Sequence, residues 1–113
     1  MRVLIGGLLA AFVLSFCSWT VASDQSAIST KCDVVALKAG KIMHGRQAGL
    51  SRADIAAQDE KDDPSENGKV VGQQMMNVSA FYGVEKSREA KEAVVSKFAD
   101  YYKDACLESK AGL

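Results

Sequence analysis

The sequence predicts an all-α fold, a small bundle of about four helices stapled by one disulfide from Cys32 to Cys106. Three observations predict it. The composition is rich in Ala, Lys, Glu, Gln and Met, and no stretch sustains the period-two alternation of a half-buried strand. Apolar residues recur at helical spacing in several segments, each bounded by capping residues or breakers. Finally, an N-terminal segment reads as a secretory signal, which leaves two cysteines in an oxidising compartment where an even count favours a bridge.

The signal occupies residues 1–23. Arg2 gives a minimal positive start, Val3 to Phe16 is an unbroken apolar and small-residue run, and Thr20, Ala22 and Ser23 offer cleavage after Ala22 or Ser23. The run is too short for a membrane span, which needs about twenty apolar residues. Bulky Phe16 before Cys17 argues against lipoprotein processing. Cleavage removes Cys17 and the sole Trp19 and leaves residues 24–113 as a single helical domain. Acidic and basic side chains balance at 14 each over the whole chain. That balance supports neither nucleic acid nor an anionic membrane as a partner. A bridge closing so long a loop contributes roughly 4 to 5 kcal/mol in the chain-entropy account, comparable to the whole stability of a domain this small.

The first helix is expected from about Ser29 to Ala48. Ser29 or Thr30 caps it, and Gly49 is the C′ residue able to enter the left-handed region. Cys32, Val35, Ala36, Ala39, Ile42 and Met43 share its apolar face, with Asp33, Lys38, Lys41 and His44 turned away. Gly40 and Gly45 cost helix propensity, so a neighbour approaches closely there or the helix is weak. Ser51 with Asp54 starts a short second helix, Arg52 to about Gln58. From Asp59 to Gly68 the acidic run, Pro64 and Asn67-Gly68 predict a solvated loop. A third helix carries Val71, Met75, Val78 and Tyr82 on one face and ends at Gly83. Ser87 caps the fourth, whose apolar side is Val94, Val95, Phe98, Tyr101, Tyr102 and Ala105, with Lys103 and Lys110 toward its negative end.

The cysteine, a helix through Ala39, Ile42-Met43, Arg46-Gln47 and Gly49, then Ala80-Phe81-Tyr82, Phe98 and Cys106, resemble the pattern of small secreted, uncharacterised proteins of Gram-negative bacteria. The resemblance covers the two ends of the chain after residue 23; the middle, Ala53 to Lys69, has no counterpart in it. It implies an all-helical envelope protein and assigns no activity.

Arg46 falls with Ala39 and Ile42 on the apolar side, so its guanidinium needs a partner or a route to water. It either bonds terminal carbonyls and a carboxylate such as Glu85, or presents donors with Gln47 to an anionic group on a ligand or partner. Asp63, Ser65 and Asn67 match the first positions of a calcium loop, but Gln74 stands where a bidentate Glu is required, so they are weak metal candidates. His44 lies on the polar side without ligands at suitable spacing. Met43, Met75 and Met76 are core filler rather than a copper site, with Met76 off the stripe. Asn77-Val78-Ser79 is a chance glycosylation match. No nucleophile or acid–base constellation is visible, so no enzyme and no cofactor is expected. The reading is a periplasmic or secreted protein-binding, accessory or inhibitor-type module whose partner is another envelope protein. The alternative is a small-molecule or weak metal-binding protein. Apolar Met76, Phe81 and Leu37, if exposed, offer a homodimer surface.

Overall fold

The computed structural model describes residues 27–111, with side chains through Ser109. The expected signal peptide and its cleavage site fall on residues 1–23, which lie outside the described residues. The chain falls into two units, Met1–Lys31 and Cys32–Leu113. Of the first, residues 27–31 are described and are helical. The second carries the core and every contact below.

Among the described residues there are helices and no strands. Helix α1 covers residues 27–47, α2 Arg52–Asp62, α3 Glu66–Ser79 and α4 Arg88–Ala111. The first helix ends as its sequence requires. Gly49 takes φ +82°, its N–H donates to Arg46 O at 3.0 Å and that of Leu50 to Gly45 O at 3.0 Å, the paired bonds of a Schellman turn. Ser51, Ser65 and Ser87 each accept an N–H of their helix's first turn, from Asp54, Gly68 and Ala90.

One apolar core joins Ala39, Ile42 and Met43 of α1, Ile55 of α2, Met75 and Met76 of α3 and Phe98 of α4. Phe98 is fully buried and takes Tyr82 and Tyr102 edge-on, at ring centroid distances of 5.5 and 5.0 Å. The Cys32–Cys106 disulfide is formed, with its Cα atoms 5.5 Å apart. It joins the beginning of the core-facing stretch of α1 to the end of α4, and Lys103 adds an ion pair to Asp33 at 2.9 Å nearby.

Several expectations are corrected, beginning with two helix bounds: α1 already includes Ser29 and Thr30, expected as its cap, and α3 ends at Ser79 rather than at Gly83. The stretch 59–68 is not a loop: α2 runs on to Asp62 and α3 begins at Glu66. Lys38, expected on the polar face, is drawn under α2, where it holds Asp59 at 2.9 Å and Asp63 at 3.2 Å with both Lys38 and Asp59 largely buried. Met76 is buried, and Val71 and Tyr82 are partly exposed. The reason is the face α3 presents, which is Gly68, Gly72, Met75, Met76 and Ser79. A Cβ on Gly68 or Gly72 would collide with the carboxylates of Asp63 and Asp59, respectively. Absent side chains on α3 therefore make room for the ion cluster, and α3 turns that side inward. On α4, Tyr101 and Ala105 are exposed, so its buried face is narrower than the sequence suggests.

Candidate interaction site

The segment between α3 and α4 is exposed throughout, yet its backbone is held from the end of α1. Arg46 Nε donates to Tyr82 O at 2.8 Å and its Nη2 to Ala80 O at 3.3 Å. Gln47 is buried, and its amide grips the same segment from both sides. Nε2 donates to Gly83 O at 2.9 Å, and Oε1 accepts the N–H of Glu85 at 2.8 Å. The amide also donates a long contact to Met43 Sδ. These bonds satisfy carbonyls left open where α3 ends, which Ala80, Phe81 and Tyr82 N–H groups do not reach because they turn back into the helix. Lys91 of α4 closes the joint by donating to Gln47 O at 2.9 Å.

This fixed segment carries Phe81 with 90% of its surface exposed, beside the partly exposed Tyr82 and Val84. Tyr82 leans its ring edge-on against Phe98, so one aromatic ring of the segment touches the core while its neighbour stands in solvent. Arg46 and Gln47 thus direct their donors to the chain's own carbonyls. Arg46 bonds the α3 terminus, as its position at a helix end allowed, while Glu85 reaches this end through its backbone N–H.

The weak metal candidates are also engaged. Asp63 accepts from Lys38 through one oxygen and from Ser65 through the other. Its carboxyl is held below the usual range, chiefly by the Ser65 hydroxyl and then by Lys38. Ser65 caps α3, and Asn67 is exposed in that helix's first turn. No cluster of three metal-ligating side chains occurs among the described residues.

Concavities open on α1 among the described residues. One, of about 740 Å³, is lined by Ala36, Leu37 and Gly40 of α1, Ile55 of α2 and Val95 of α4. Another, of about 550 Å³, is more polar and is lined by His44, Gln47, Arg88, Lys91 and Glu92. His44 is exposed between them. Sequence reasoning singled out Arg46 and Gln47, with terminal carbonyls as one of two alternatives for Arg46, but did not name the segment between α3 and α4 as what they hold. The available signal was position: Gln47 follows Met43 by four residues, which puts a buried amide on the apolar stripe.

No helix among the described residues is long and apolar enough to cross a membrane. Compared with protein-family models, curated proteins and solved structures, the chain matches none.

Proposed function

We propose that the protein is a non-catalytic binding module of the periplasm or secreted space that recognises another envelope protein through the segment between α3 and α4, with Phe81 as the anchor. The observation that carries the reading is a phenylalanine 90% exposed on backbone fixed by four side-chain bonds from Arg46 and Gln47. Exposing an aromatic ring has no stabilising effect on the chain that bears it. A rigid backbone lets the ring enter a partner's pocket without an ordering cost at the moment of binding. Anchors of this kind account for about 2 kcal/mol or more when truncated. The formed disulfide fits an oxidising compartment.

The alternative of a small ligand or metal at Arg46 or the Asp63–Gln74 stretch has less support, because Arg46 and Asp63 already hold partners within the chain. Affinity capture from an envelope extract tests the leading reading. Wild type is expected to retain a stoichiometric protein that Phe81→Ser loses at an unchanged melting temperature. A partner that Phe81→Ser still retains in full would sink it.

A further inference from the structure

We infer that the groove along α1 is the contact face of a homodimer in which the α1 helices of two copies cross antiparallel, centred on Leu37. This surface is separate from the Phe81 segment and does not rest on the function proposed for it. Small Ala36 and Gly40 are among the residues that line the groove. Small residues at such positions allow helices to approach closely.

Gly40 is the first reason to place another chain there. Glycine within a helix is destabilising relative to alanine. The protein's own packing does not demand it. An added Cβ would lie 3.7 Å from Ala99 Cβ and 3.9 Å from Val95 Cγ1, ordinary van der Waals contact. At Gly45, by contrast, it would meet Ile55 Cγ1 at 2.9 Å. What the missing methyl at Gly40 preserves is the width of the groove between α1 and α4, since Ala99 and Val95 line it as well.

The second reason is charge, and it selects a second copy as the occupant. Asp33, Leu37 and Lys41 follow one another at four-residue intervals and all line the groove. Each is more than half exposed, at 59%, 60% and 55%, respectively. Reversing the helix about Leu37 exchanges Asp33 with Lys41. A two-fold axis at that point sets each Asp33 beside Lys41 of the other copy and each Leu37 against its equivalent. An isologous contact requires this self-complementarity. Asp33 engages Lys103 through one oxygen, so its carboxylate retains accepting capacity, and Lys41 is only loosely paired with Asp62 at 3.5 Å. Exposed Val34 extends the apolar contact along the helix.

Sedimentation equilibrium of the disulfide-bonded protein at concentrations up to the millimolar range tests the assignment. Wild type is expected to approach about twice the monomer mass. Asp33→Lys and Lys41→Asp should each remain monomeric, because each places like charges together twice. An equimolar mixture of the two should recover the dimer, since every crossing then pairs a lysine with an aspartate. Phe81→Ser should dimerise as wild type does. The assignment is overturned by a wild type that stays monomeric, by a dimer indifferent to both charge variants, or by a mixture that fails to reassociate. Circular dichroism of each variant keeps unfolding separate from dissociation.

Discussion

The core-facing stretch of α1 is secured at its two ends by different physics. Near Cys32 it is held by a covalent bond to α4 and, two turns on, by the ion cluster of Lys38 with Asp59 and Asp63. At Arg46 and Gln47 it is held by hydrogen bonds to neighbouring backbone, with neutral acceptors and an uncharged amide at the centre. The first end therefore responds to redox state, pH and salt. The second has no disulfide and no carboxylate among its bonds, and it is the end that positions the exposed aromatic.

The largest way to break this asymmetry is to remove the bridge. A Cys32→Ser/Cys106→Ser double variant is expected to lose roughly 4 kcal/mol, read as a lower denaturant midpoint. Next comes the ion cluster. Asp59→Asn leaves a largely buried ammonium with only Asp63 as a carboxylate partner, and should cost about 2 to 3 kcal/mol in chemical denaturation. Lys38→Met/Asp59→Leu should recover much of that loss, because an apolar pair carries no unpaired charge.

At the other end, Gln47→Ala strands the Gly83 carbonyl and the Glu85 N–H and is expected to cost about 2 kcal/mol. Its specific sign is faster hydrogen exchange at the Glu85 amide, with the amides of α2 unaffected. If exchange accelerates equally in α2, the two ends are not independent.

The smallest effect is pH. The folded Asp63 carboxyl titrates below its ordinary value of 3.8, with the Ser65 hydroxyl as the leading cause. Its contribution is therefore present at neutral pH and above 3.8, and is lost as the pH falls through the lower folded value. Lys103, raised above 10.5 chiefly by its bond to Asp33, behaves in the opposite sense. Its contribution is complete below 10.5 and is lost as the pH rises through the higher folded value. Melting temperature followed to both extremes should decline slightly at each, while Gln47→Ala shifts the whole profile without changing its shape.

What the sequence disclosed follows from the same comparison. Gly49, Ser51 and Ser87 announce helix ends locally, and the cysteine count names the bridge, so these parts of the fold were legible. The ion cluster was not. Lys38 lies 21 and 25 residues from Asp59 and Asp63, and an acidic run containing Pro64 reads as a solvated loop. The pattern that would have placed it is the pair Gly68 and Gly72, which registers in no hydropathy stripe because its contribution is empty space. The site was half legible for a related reason. Arg46 stood out as a polar residue on an apolar stripe and Gln47 only as its neighbour, and their acceptors are backbone carbonyls, which every residue possesses and no sequence marks.

The bridge has one more effect, on cleavage rather than on folding. It makes the chain from Cys32 to Cys106 a closed covalent ring with α2, α3 and the Phe81 segment inside it. A protease that cuts the exposed stretch between α3 and α4 opens the ring at one place but separates nothing. The nicked molecule keeps its mass apart from one added water, and it falls into two pieces only when a reductant follows.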